Sequence, residues 1–501
     1  MFGHTATKHV GAVFLLLKLF IFTANPPMQH LYHVAAALGA MVIATIILLI
    51  RRTARLAFSA TAAWGEGNVA VEALLPAEIK LMERMPAINT VTYFEGVANA
   101  ALVRSRVAEI VKANPWLAGR LVTRDGVPTL AFPKVPTAAT CTAGVIEMEH
   151  GELWKWSHDA EYSYEDIVAS VAASHACVQL GKHCVGRNEL LFKVTVVHGT
   201  GGASNGTGSG AVGDGWALVV SLSHVIADGH TYYGLLNMLS DKARVAALSP
   251  KRQQAFHKLT AHIIGEEELR LRDSVFIKLN VLWRTLLQPR YRIRAAMVDA
   301  AKVAAIKEAR RASRDPGVQH SSGAVEFIST NDIVTSSFLR HTKARIALMA
   351  INFRGRLPCL ADGDAGNYQG PLGLCTEDFA TPELIRQAVS GDEEGRFVRA
   401  AHRGSDAGPT KLPGRFELAS CIIAGVTNWS TFFRELSLGG GCGKQTLHLP
   451  CMKAGQVDFA FVFRPSANEL AVLVNSATAT LPEGPESPFG GTFDTRPGLR
   501  Q

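Results

Sequence analysis

Residues 221–236 read SLSHVIADGHTYYGLL, which places His224 at the end of an apolar run with Asp228 and Gly229 four and five positions later. An imidazole titrates near neutrality, so a histidine emerging from a buried strand can act as general base on a substrate met at the sheet edge. Asp228 need not be its partner. A tight turn can carry that carboxylate into the scaffold, where a buried arginine would neutralise it. Gly229 lets backbone approach a neighbour closely or adopt positive φ. A His-x-x-x-Asp pair alone also fits a capped turn without chemistry.

Two other motifs fail on context. Gly208, Gly210 and Gly213 fit GxGxxG, but a dinucleotide site needs a helix to start after the glycines, and here a strand follows. Ser204 sits in a GxSxG match, Gly202 to Gly206, yet a nucleophile elbow must turn from strand into helix and this stretch is Gly/Ser-rich loop. His175, Cys177, His183 and Cys184 lie close together in sequence, but at no zinc-module spacing, so neither a metal nor a resident cofactor is expected. The eight cysteines form no compact framework and read as reduced, mostly buried thiols.

The elements that would position His224 show in the periodicity. Residues 97–114, VANAALVRSRVAEIVKAN, have the pattern of an amphipathic helix ended by Pro115, while 190–198, LLFKVTVVH, and 216–224, WALVVSLSH, read as strands. Residues 325–341 predict strand then helix, with Asn331 or Asp332 at its start, and further strands are expected at 344–354, 417–428, 456–464 and 469–476. The chain thus divides into a 1–60 anchor, a 70–245 lobe, a 246–325 helical crossover, a 326–480 lobe and a disordered 482–501 tail.

Six pieces occur in order: NPWLAGRL (114–121), SHVIADG (223–229), STND (329–332), NFRGRLP (352–358) with GNYQG (366–370), VTNWSTF (426–432) and LGGGCGK (438–444). Over about residues 70–480 the chain resembles the chloramphenicol-acetyltransferase-like superfamily, most closely its BAHD-type acyl-CoA-dependent members. The resemblance implies a two-lobed α/β fold with mixed sheets and a tunnel between the lobes. His224 would lie in that tunnel and deprotonate an acceptor alcohol or amine as it attacks the thioester of acyl-CoA, without an acyl-enzyme. Asp228 would be the structural partner of an arginine, for which Arg354 in NFRGR is the candidate, and Gly229 would leave room for the pantetheine arm. The chain departs from the pattern in two places. LSLGGGCGK stands where the Asp-Phe-Gly-Trp-Gly element is usual, and Ser223 precedes His224 where some bacterial relatives double the histidine.

Apolar residues make up 48% of the 501, a little above an ordinary soluble enzyme, and the excess is concentrated in the runs 10–24 and 34–50. A bilayer core takes about 20 apolar residues per helix, so the second run spans with its flanks and the first, containing Lys18, does so marginally. A signal peptide competes for the first run, but no small-residue cleavage site follows it and Pro26-Pro27 suits a hairpin turn. Lys8 precedes the pair and Arg51, Arg52 and Arg55 follow it, which puts both ends of such a hairpin, and the body, in the cytosol. The net charge of +8 comes with no nucleic-acid module. Much of the basic excess lies at 251–314, where residues 274–294 form either a basic amphipathic segment for an anionic membrane surface or a core-facing helix with a solvated basic edge.

Together these readings predict a monomeric, membrane-anchored acyl-CoA:alcohol O-acyltransferase on the cytosolic face of the endoplasmic reticulum. The acceptor is expected to be lipophilic because of the anchor. The alternatives are N-acylation and a non-catalytic scaffold of the same fold.

Overall fold

The computed structural model describes residues 58–149, 163–199 and 215–493, apart from 273, 288–290, 313–324, 326, 392–394, 398–411 and 479. The expected membrane hairpin, residues 10–24 and 34–50, lies outside them, as does Ser204. Among the described residues no helix is long and apolar enough to cross a membrane.

Strand β7, Gly215–Leu222, is the centre of the first half. Its even-numbered side chains Trp216, Leu218, Val220 and Leu222 enter one core cluster, while Ala217 and Val219 enter another. Both faces are therefore covered, which explains a run that is apolar throughout instead of alternating. β7 pairs antiparallel with β2, Ile88–Glu95, and β6, Phe192–His198, and β5, Val145–Glu149, adds on parallel to β6. A small antiparallel sheet of β1, Val69–Ala73, β4, Val127–Pro133, and β3, Arg120–Arg124, lies apart from it.

The second sheet has seven strands in the order β10-β9-β11-β13-β14-β8-β15. These are Gln369–Cys375, Ile346–Asn352, Ile423–Asn428, Asp458–Phe463, Ala471–Ser476, Arg292–Val298 and Phe489–Thr492. β9, β11 and β13 run parallel and the other pairings are antiparallel, so the mixed sheets expected of the α/β fold are present.

Three boundaries differ from expectation. β8 lies inside the supposed helical crossover and pairs with β14, because Arg292 and Arg294 point outward while Ile293 turns inward and hides the strand among charges. The tail contributes β15, which pairs with β8, although it was expected to be disordered. The helix Thr330–Thr342 is capped by the Ser329 hydroxyl, with Asp332 closing a capping box, and no strand precedes it among the described residues of 325–329.

The halves are not separable. β12, Gln445–Pro450, comes from the second half of the chain but pairs with β2 of the first sheet. The buried His448 on β12 meets Thr92 Oγ1 at 2.9 Å and Tyr233 OH at 2.9 Å. One core cluster draws Val91, Val197 and Val219 from the first sheet and Phe461, Phe463 and Leu473 from the second. Leu473 is fully buried there, so Leu473→Ala should cost roughly 2–5 kcal/mol. Denaturant unfolding followed by tryptophan fluorescence and by circular dichroism should shift as one coincident transition, because the cluster is shared. Two separated transitions would show that the halves fold independently.

Candidate active site

His224 stands two residues beyond the end of β7, in a turn that leads to the helix Gly229–Asn237. Arg354 follows the end of β9, Asn367 precedes β10, and Trp429 follows the end of β11. Because β11 runs parallel to β9 and β10 antiparallel, these three positions share one edge of the second sheet, and the His224 turn of the first sheet meets them. The structure therefore brings Arg354 together with His224, Asp228 and Gly229, from which it is distant in sequence.

Asp228 caps the helix Gly229–Asn237, its Oδ1 accepting from Thr231 N at 2.9 Å. Its other oxygen accepts from Arg354 Nη1 at 2.7 Å and from the amide of Tyr368 at 2.9 Å. Both side chains of the pair are buried. Burial alone would raise the Asp228 carboxyl, but the charge and hydrogen bond of Arg354, joined by the Thr231 and Tyr368 amides, hold it below its usual range.

All five guanidinium donors of Arg354 are used. Beyond Asp228 they reach Asn352 Oδ1 at 3.1 Å, the carbonyl of Asp364 at 2.9 Å, Thr231 Oγ1 at 3.0 Å and the carbonyl of Gly366 at 3.1 Å. The carboxylate is thus turned away from the imidazole into the scaffold.

A second buried pair lies on the other side of the Ala365–Tyr368 segment, where Arg252 Nε meets both Glu78 oxygens at 3.1 Å. Arg252 also donates to the carbonyls of Ile226 at 3.1 Å and Ala365 at 3.3 Å, so it grips both the histidine turn and the segment facing it. Glu78 in turn accepts from the Asn367 amide at 3.1 Å. Between the two pairs Gly366 has φ +140°, and an added Cβ there would press on Tyr368 and Arg252 at 3.2–3.3 Å. Neither Glu78 nor Arg252 was singled out by sequence. The surplus of glutamates and arginines on exposed helices masks a buried pair.

Asn367 is the other residue that sequence reasoning passed over, although GNYQG contains it. Its Nδ2 donates to the backbone carbonyls of His224 at 2.8 Å and Val225 at 3.2 Å, which fixes the amide orientation and turns Oδ1 to the imidazole. His224 Nδ1 lies 3.0 Å from that Oδ1, which can only accept, so Nδ1 carries the hydrogen and Nε2 keeps its lone pair. His224 is 7% exposed. Burial lowers its pKa below the ordinary 6.5, against the opposing pull of its own backbone carbonyl, Asp228 and Asn367. The result is a neutral imidazole at physiological pH with a fixed tautomer.

Gly229 leaves room for a neighbouring side chain: a Cβ on it would lie 2.8 Å from Trp429 Nε1, so the indole packs close against its backbone. Trp429 also packs edge-on against Phe461, ring centroids 4.4 Å apart, and so ties the start of this helix to the second sheet. Of the cluster His175, Cys177, His183 and Cys184, the two thiols are buried and pushed up to about 11 by that burial. Among the described residues no group of three or more His, Cys, Asp or Glu side chains is arranged to hold a metal ion.

No protein-family model matches the chain, and no curated protein does. Among solved structures it is similar to vinorine synthase at 14% identity, with 82% of this chain and 96% of that chain covered and a TM-score of 0.49. It is similar also to the first condensation domain of the CDA synthetase, at 13% identity with 81% and 90% covered and a TM-score of 0.47. A third is F. sporotrichioides TRI101, solved with coenzyme A and T-2, at 12% identity with 80% and 93% covered and a TM-score of 0.47. At this distance the likeness assigns no residue a role.

Removing one partner of the Asp228–Arg354 pair strands the other charge, so Asp228→Ala should cost roughly 3–5 kcal/mol. Arg354→Lys should also destabilise, since three ammonium donors replace five guanidinium donors in use. A carboxyl with a depressed folded pKa contributes its full stability above the unfolded value near 3.8 and loses it as pH falls through the lower value. Urea midpoints for the wild type and both variants at neutral pH measure these costs. A fully stable Asp228→Ala protein without activity would instead make the carboxylate a direct participant in chemistry.

Proposed function

We propose that the protein is an acyl-CoA-dependent acyltransferase in which His224 is the general base. The observation that carries this reading is the Asn367 contact, which leaves His224 Nε2 as a lone-pair acceptor on a ring that burial keeps neutral. A proton acceptor prepared in this way suits abstraction from an alcohol or amine attacking a thioester. The ordered motifs from NPWLAGRL to LGGGCGK, with their resemblance to the chloramphenicol-acetyltransferase-like superfamily, support acyl-CoA as the donor.

In the proposed reaction the acceptor oxygen attacks the acyl carbonyl while Nε2 takes its proton. The tetrahedral intermediate then collapses, its C–S bond breaks, and the proton passes from His224 to the departing CoA thiolate. No acyl-enzyme is formed and the imidazole returns to its starting state. Asp228 and Arg354 act by holding the turn, and Gly229 by admitting Trp429.

The acceptor class is drawn from the apolar runs at 10–24 and 34–50, which favour a lipophilic alcohol and a body on the cytosolic face of the endoplasmic reticulum. N-acylation uses the same base and differs only in the nucleophile. A scaffold without catalysis would have no use for a fixed imidazole tautomer, which favours the enzyme.

Single-turnover acyl transfer from a panel of acyl-CoAs to membrane alcohols and amines tests the proposal. His224→Ala should lower the rate by about 10²–10⁴-fold while acyl-CoA binding is retained. Wild-type turnover in that variant would remove His224 from the chemistry.

Asn367→Ala should lower kcat with little change in donor affinity, because the ring loses the acceptor that sets its tautomer. The acid limb of kcat/KM should fall below pH 6.5, since burial depresses the His224 pKa and protonation abolishes the base. An acid limb above 6.5 would mean that a different group is titrating.

A further inference from the structure

The helix Val275–Leu287 exposes much of its apolar surface. Its body-facing side is mixed: Phe276 and Ile277 pack against Leu418, Ile346 and Ile423, and polar side chains lie beside them. Asn280 is buried and its Nδ2 donates to the carbonyls of Leu418 at 2.7 Å and Cys421 at 2.8 Å. One turn on, the buried Arg284 donates to Asn280 Oδ1 at 2.7 Å, to the carbonyl of Cys421 at 3.1 Å and to Tyr291 OH at 3.2 Å. The outward side is apolar. Val275, Leu279, Leu282 and Leu286 follow at spacings of four, three and four, which aligns them on one face.

Val275, Leu282, Trp283 and Leu286 are each more than half exposed, and Phe416 on the adjoining helix Arg415–Ser420 is 84% exposed. Scattered exposed hydrophobics are ordinary, but a contiguous stripe with a tryptophan and a phenylalanine beside it marks an interaction surface.

We propose that this face docks on an anionic lipid surface, with the leucines, Trp283 and Phe416 entering the headgroup boundary. Charge favours lipid over a second copy of the chain or its own apolar runs. Lys278 on the helix, Arg415 at the start of its neighbour and Arg292 and Arg294 on β8 are exposed, while the nearby Glu417 is engaged by Arg345 at 2.7 Å. Two positively charged faces repel each other, and the runs 10–24 and 34–50 carry no acidic residue to meet the basic rim. Amphipathic helices of this composition bind by apolar burial together with attraction to anionic lipid. The eight residues 51–58 that link the second apolar run to the described body reach at most about 29 Å, so a bilayer holding that run would keep the body within range of its surface.

The full-length protein in vesicles of phosphatidylcholine, with and without phosphatidylserine, carries its own reporter in Trp283. The emission difference between wild type and Trp283→Phe isolates that indole from the other six tryptophans. Lipids brominated near the headgroup should quench the difference emission, and more so when phosphatidylserine is present. The double variant Leu282→Glu, Leu286→Glu should shift it to the emission of water-exposed tryptophan and make it sensitive to aqueous acrylamide. Quenching by acrylamide and not by brominated lipid in the unaltered helix would overturn the proposal. So would shielding from both quenchers, which would mean that protein covers the face, and so would identical quenching with and without phosphatidylserine.

Discussion

A buried charge needs a partner, and the Asp228–Arg354 pair meets that need across the two halves of the molecule. Asp228 lies in the turn after β7 of the first sheet and Arg354 follows β9 of the second. Breaking such a pair in a low-dielectric interior costs more than forming it contributes, so the contact acts as a constraint on geometry more than as a source of stability. Since the arginine fork also grips the carbonyls of Asp364 and Gly366, the Ala365–Tyr368 segment is set at the same time. The Glu78–Arg252 pair closes the other side. The position of His224 therefore follows from the docking of the halves on each other, not from its own loop.

With the carboxylate committed to Arg354, the imidazole is oriented by an amide. This choice has a chemical consequence. A carboxylate at Nδ1 would fix the same tautomer but would favour the imidazolium, whereas the neutral Asn367 fixes the ring and adds only a modest pull on its pKa. Burial then dominates, and the ring is held neutral and ready to accept a proton. The cost is a weaker base, which suits a nucleophile that loses its proton only as the new bond forms.

The strands around the site were legible because their two buried faces demand continuous apolar runs: WALVVSLSH became β7 and LLFKVTVVH became β6. The HVIADG turn was legible for its unusual placement of a histidine at the end of such a run. What could not be read were contacts closed over long separations. Asn367 meets His224 from 143 positions away and Glu78 meets Arg252 from 174. In sequence each is an ordinary polar residue, and Glu78 sits within PAEIKLMER, a stretch with the look of a solvated helix. β12 was missed for a related reason. QTLHLP is short, ends in proline and takes its place in the first sheet only through pairing with β2, more than 300 residues earlier.

Periodicity reports that a helix has two unlike faces but not which of them turns inward. For most helices the hydrophobic effect decides, and the apolar stripe is buried. At Val275–Leu287 the inward face is shared: Phe276 and Ile277 pack against Leu418, while Asn280 and Arg284 satisfy the carbonyls of Leu418 and Cys421, the latter closing the helix Arg415–Ser420. Those carbonyls would be stranded if leucines faced them, and a stranded buried acceptor costs about 1–3 kcal/mol. The same device, a buried polar side chain bonded to backbone carbonyls, therefore does opposite work at the two ends of the second sheet. Past the end of β9 and before β10 it draws Arg354 and Asn367 inward to set a base, and by the starts of β9 and β11 it helps hold a helix whose leucines and Trp283 are left exposed.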